Sequence, residues 1–110
     1  MKWSYTCPMP ECQSHNGLML MAEYSSSALW CQKCGINFAN PHEEFPNLPK
    51  GLVDLIEAWN GYWDYFASEK SKYNYEYHHD IYISAGKYLT NLINLYYPCV
   101  FKHVEPPKGS

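Results

Sequence analysis

Four of the five cysteines fall into two tight pairs, Cys7 with Cys12 in "CPMPEC" and Cys31 with Cys34 in "CQKCGINF", and no other feature limits the fold so strongly. In a reducing compartment such pairs favour a metal over disulfides, with Cys99 left over. A redox dithiol normally opens a helix in a βαβ setting, which this pattern does not offer. Zinc takes four thiolate or imidazole ligands tetrahedrally, and two turns that each carry a pair, held together by strands, supply them. The spacing therefore predicts a zinc site made of Cys7, Cys12, Cys31 and Cys34, with Gly35 able to take the positive φ that turns backbone amides toward the sulfurs. His15, in "CQSH", offers an imidazole that could replace one cysteine. A closed set of four leaves no position for water, so the ion is expected to hold the fold rather than to react.

Short alternating runs flank the pairs: "KWSYT", "GLMLMAEY", "ALWC" and "INFA" read as strands, with "SSS" at 25–27 as a turn. The pattern C-x4-C-x18-C-x2-C, with "LWCQKCGINF" as second knuckle and following strand, resembles the zinc-ribbon class over about residues 3–39. The resemblance implies a small antiparallel sheet clasping zinc. It implies no activity, because ribbons serve many functions.

Residues 40–50, "NPHEEFPNLPK", carry three prolines and no periodicity and read as a linker. Beyond it, Leu52, Leu55, Ile56, Trp59, Tyr62, Trp63 and Phe66 recur at helical steps, predicting one apolar face of a helix that runs to about Glu69. A second stripe, Ile81, Ala85, Tyr88, Leu89, Leu92, Ile93 and Tyr96, is stopped by Pro98. Between them "KYNYEYHH" alternates as an extended segment would, placing Tyr73, Tyr75 and Tyr77 on one side. In "YHHD", Asp80 is expected to cap the second helix. His78, His79 and Asp80 have the donors for a second metal or acid–base work, yet adjacent residues do not face one point on a helix. Cys99, with His103 four residues on, reads as a small buried apolar group rather than a nucleophile. The predicted fold class is α+β: a ribbon over 1–39, the linker over 40–50, and a two-helix, Tyr-rich segment over 51–110 that includes a short tail.

Eleven Tyr, four Trp and four Phe in 110 residues demand a packed structure of one domain or a module with an appendage. No run of 18 apolar residues occurs and "MKWSYTC" lacks the apolar core of a secretion signal, so a soluble cytoplasmic protein without a membrane span is expected. The chain has no Arg and a formal charge of −3, which four thiolates and one divalent ion together lower to −5. Nucleic acid is therefore the less favoured partner. Neither a phosphate-cradling glycine loop nor a serine-centred nucleophile motif is present, and no catalytic residue is predicted.

Two helices cannot cover both of their own apolar stripes, so the ribbon, a second copy in a homodimer, or another protein must do so. Tyrosines this numerous suit protein contact, since they combine rigid area with a polar tip. The expected contact surfaces are the row Tyr73, Tyr75 and Tyr77 and the acidic helix face of Asp54, Glu57 and Asp64. Eight acidic residues against three lysines between residues 40 and 80 would steer a basic partner there. The functional expectation is a non-catalytic, zinc-stabilised protein-binding regulator or inhibitor, similar in style to those that phages direct at host machinery. The alternative is a transcription-type accessory ribbon that contacts nucleic acid or RNA polymerase.

Overall fold

The computed structural model describes residues 7, 9–12, 17–23, 26–69 and 75–103, with backbone alone for 64–69 and 75–77. Along the chain lie strands β1 (Leu18–Leu20) and β2 (Leu29–Cys31), helices α1 (Pro41–Glu44), α2 (Lys50–Glu69) and α3 (Tyr75–Ile93), and strand β3 (Cys99–Phe101). The fold is α+β, but the sheet is mixed rather than purely antiparallel. β1 occupies the centre, antiparallel to β2 and parallel to β3. Leu18 thus stands opposite both Cys31 and Cys99, and Leu20 opposite both Leu29 and Phe101. Leu18, Leu20, Leu29, Cys31 and Cys99 are buried while Met19, Trp30 and Val100 are not, the two-residue alternation of a sheet with one packed face.

β3 was hidden in the sequence because "CVF" is too short to show a period. A ribbon of two strands would leave the second edge of β1 unpaired, and β3 closes it. The turn into β3 is built by Asn94, whose Nδ2 donates to the carbonyls of Cys99 (2.6 Å) and Thr90 (3.1 Å) while its Oδ1 accepts from the Cys99 amide (3.1 Å). The "INFA" run contributes a single antiparallel bridge, Trp30 to Asn37, and the "KWSYT" run lies outside the described residues.

The predicted linker proves to be structured. Pro41 opens α1, where a missing N–H costs nothing because the first turn has no acceptor for it. Phe45 and Leu48 are then buried, and Phe45 stands edge-on between Phe38 (4.9 Å) and Tyr97 (5.2 Å). Periodicity cannot reveal such a segment, since its apolar residues serve a loop.

Both long helices occur, with their faces turned, but α3 ends at Ile93 and not at Pro98, because Asn94 bonds back to the Thr90 carbonyl and turns the chain, leaving Tyr96 in the turn. α2 buries Leu52, Val53, Ile56, Trp59, Asn60 and Trp63, whereas Leu55 is 55% exposed. α3 buries Tyr82, Leu89, Thr90 and Ile93, whereas Ile81 and Tyr88 face outward at 40% and 62%. At about 100° per residue, a phase defined by Tyr82 and Leu89 puts Ile81 and Tyr88 far round the helix. Tyr82 and Thr90 take the interior because they have local partners. The Tyr82 ring stacks on Trp59 (5.0 Å, 8°), and Thr90 donates its hydroxyl to the Gly86 carbonyl (2.8 Å). α3 also begins before Asp80, which is a helical residue and not its cap, and it contains Tyr75 and Tyr77. The extended tyrosine row is therefore corrected: residues 75 and 77 lie about 200° apart on a helix and share no side. Tyr73 lies outside the described residues.

Two joints lock the helices to the sheet. Asn60, buried on α2, accepts from the Glu23 amide (2.9 Å) and donates to the Ser26 carbonyl (2.6 Å), so it holds the segment between β1 and β2. Trp59 Nε1 donates to the Tyr82 carbonyl (2.9 Å), and its ring meets Phe101 of β3 edge-on at 6.0 Å. Gly86 fits beneath these rings: a Cβ there would lie 2.6 Å from Phe101 and 2.9 Å from Trp59. A helical Gly→Ala change ordinarily stabilises by about 1 kcal/mol. Gly86→Ala is expected to reverse that sign, destabilising by about 1–3 kcal/mol through overpacking, measurable as a lower urea midpoint with an unchanged slope.

Candidate metal centre

The first cysteine pair is set by a tight turn, in which the Cys12 amide donates to the Met9 carbonyl (3.0 Å). The second leaves the end of β2. The Cys31 amide donates to the Ile36 carbonyl (2.9 Å), and the Gly35 amide donates back to the Cys31 carbonyl (2.9 Å) with Gly35 at φ +81°. That positive φ is what the glycine following "CQKC" was expected to supply. Gly17, missed in the sequence, is equally constrained. Its φ is +97°, its carbonyl accepts from the Gln32 amide (2.7 Å), and a Cβ would lie 2.9 Å from Gln32 Oε1. It fastens the second turn to the start of β1.

The result is one cluster. All four Sγ atoms of Cys7, Cys12, Cys31 and Cys34 lie within 4.8 Å of one another, with Cys7 to Cys34 at 3.4 Å and Cys12 to Cys31 at 3.8 Å. Disulfide sulfurs would be about 2 Å apart, and four sulfurs about 2.3 Å from a tetrahedral ion would be about 3.8 Å apart. The geometry is that of a metal ligand set, consistent with an ion such as zinc. Burial, with the neighbouring thiols adding to it, pushes the Cys7 thiol up to about 12 without an ion. An entering cation supplies the charge that four thiolates need and displaces protons to obtain them, so affinity falls as pH is lowered. Met9, Glu11, Lys33 and Ile36 border an open concavity of about 430 Å³ beside Cys12 and Cys34. His15 lies outside the described residues. No protein family, curated protein or solved structure matches the chain.

The remaining candidates separate in space. Cys99 is buried on β3, two strands from Cys31 with Leu18 between them, about 10 Å away and outside the cluster. Burial pushes its thiol up to about 12, which leaves little of the nucleophilic thiolate at neutral pH. His103 has its Nε2 2.9 Å from His79 Nε2. His78 instead meets the Tyr62 hydroxyl through Nδ1 at 2.6 Å, so "YHHD" splits its imidazoles between two neighbours. On α2, Asp54 and Glu57 are exposed and stand near His42 of α1, their ligand atoms within 4.8 Å. Asp54 already pairs with His42 (3.2 Å) and Lys50 (3.5 Å), as solvated surface charges do. The side chain of Asp64 lies outside the described residues.

Metal analysis is expected to find about one tightly held divalent ion per chain. Chelation, or Cys31→Ser, should loosen the two cysteine turns and the end of β2 that carries Cys31 and lower the melting temperature, because the ion is what would tie these turns to one another. A chain that stays folded and metal-free at neutral pH would contradict this. Cys99 gives a second expectation, with the opposite pH range. Below its ordinary value of 9.0 folded and unfolded chains both keep the proton, so the thiol contributes no pH dependence. Between 9 and about 12 only the unfolded chain releases it, and stability falls as pH rises. Against Cys99→Ala, the native chain should lose up to about 1.4 kcal/mol more per pH unit in that range, measured by denaturant melts.

Proposed function

We propose that this chain is a non-catalytic protein-binding module of zinc-ribbon type, stabilised by zinc, which regulates a partner by covering part of its surface. The observation that carries the reading is the outward stripe of α3. Ile81, Ala85 and Tyr88 line an almost wholly apolar groove of about 470 Å³, with Asp80 and Ser84 at its side. A helix that meets its own core through Tyr82 and Leu89 has no internal use for an exposed Ile81 and Tyr88. Exposed tyrosine beside aliphatic residues is the composition of a protein contact, where one rigid ring fills a pocket and its hydroxyl stays wet.

Charge supports a basic protein partner. Glu43, Glu44, Asp54, Glu57 and Asp80 are exposed, and the chain has no Arg with which to clamp phosphates. Four thiolates around one ion leave no coordination site for substrate, which favours a structural role for the zinc. The contact is assigned to Tyr88 and Ile81 on α3 rather than to Tyr73, Tyr75 and Tyr77, and the exposed Asp54 and Glu57 on α2 add negative charge to the surface.

The test is affinity capture from the source cell with native chain and Tyr88→Ala side by side, followed by calorimetry with the purified partner. Tyr88→Ala is expected to weaken binding by about 2 kcal/mol without changing metal content or melting temperature. Equal affinity for both forms would overturn the reading. Light scattering on the free chain distinguishes the remaining occupant: a mass near 12.9 kDa leaves the groove open, whereas twice that mass, abolished by Tyr88→Ala, assigns it to a second copy. Loss of the captured partner on nuclease treatment would point to nucleic-acid binding instead.

A further inference from the structure

His79 and His103 are brought together from opposite sides of the chain's last turn. His79 lies on α3, His103 two residues beyond β3, and their Nε2 atoms are 2.9 Å apart. The ring centroids are 4.9 Å apart with planes at 62°, so the imidazoles converge on their Nε2 atoms and do not stack. Tyr82 backs both rings at 6.2 and 6.1 Å. The pair opens onto a concavity of about 700 Å³, bordered also by Asp80, Ser84, Lys87 and Phe101.

We infer that His79 and His103 form a second metal site, distinct from the cysteine cluster, for a divalent transition ion of the nickel or copper class. Two nitrogens held at about 2.05 Å from one ion and at a right angle are about 2.9 Å apart, the separation seen here. Tetrahedral coordination would ask for about 3.3 Å, so the spacing lies nearer to that of tetragonal and octahedral ions, which are among those that imidazole suits. The concavity leaves room for water on the other positions. Asp80 offsets the positive charge that Lys87 brings to the rim. Entry of the ion requires a lone pair on each Nε2, which a neutral imidazole offers there only as its Nδ1–H tautomer. The bound ion would fasten the exit of β3 to α3.

The experiment titrates Ni²⁺ into the full chain after one equivalent of Zn²⁺ has been added for the four thiols, using calorimetry and imidazole proton NMR. Expected are one nickel ion per chain, broadening of the His79 and His103 ring signals, and a nickel-dependent rise in melting temperature. His79→Ala and His103→Ala should each weaken binding about tenfold or more, and His42→Ala should leave it unchanged. His103 is exposed and outside any helix or strand, so its variant keeps the fold even if His79→Ala does not. Three results would overturn the site: no nickel bound, nickel–thiolate charge-transfer absorption, or binding that survives His103→Ala and is lost in His42→Ala.

Discussion

The parallel pairing of β1 with β3 is the contact on which the rest of the molecule depends. β1 and β2 alone make a hairpin of six strand residues, too small to bury a face, and α2 and α3 alone would leave their inner stripes wet. Placing Cys99–Phe101 beside Leu18–Leu20 solves both problems at once. The sheet gains a third strand, and α3, which leads straight into β3, is pulled onto it. The Leu18 amide donating to the Pro98 carbonyl (2.8 Å) and the Lys102 amide donating to the Leu20 carbonyl (2.9 Å) close the two ends of that seam. Asn94 makes the turn possible by satisfying the backbone where the helix ends.

Around this seam the core is aromatic and directional. Trp59 and Tyr82 stack, Phe101 meets both edge-on, and Gly86 gives up its side chain so that the rings can lie against α3. Aromatic rings in such a small core must also satisfy their polar atoms. Trp59 does so through the Tyr82 carbonyl, Trp30 through the Met21 carbonyl, and Tyr97 accepts from Asn47 at 3.3 Å. Trp63 is the exception, its buried Nε1 having no partner among the described residues.

What was legible in the sequence is what short-range chemistry dictates. Cys7, Cys12, Cys31 and Cys34 announce their cluster because ligand pairs at turn spacing have few other uses, and the 50–69 helix and the part of α3 from Ile81 onward announce themselves by period, whereas the first turn of α3 does not. Which face of each helix turns inward was not legible, because Ile81 and Tyr88 are as apolar as the residues that replace them in the core. The choice fell to Tyr82, which only Trp59 and Phe101 could recruit, and those contacts span more than fifteen residues of sequence. β3 and the buried Phe45 were hidden for the same reason: their partners are distant, and three residues have no period. In "YHHD" the motif looked like one site, yet helical rotation sends His78 to Tyr62 and His79 to His103.

The sheet also couples parts that look separate. Cys31, a member of the cysteine cluster, lies on β2 in the same cross-strand row as Leu18 and Cys99, so the cluster is one strand from the seam and two from β3. β3 carries Phe101, and Phe101 sets how closely α3 can approach through Gly86. The orientation of α3 in turn decides that Tyr82 points inward and Tyr88 outward. The cysteine cluster and the inner face of α3 therefore belong to one packed core.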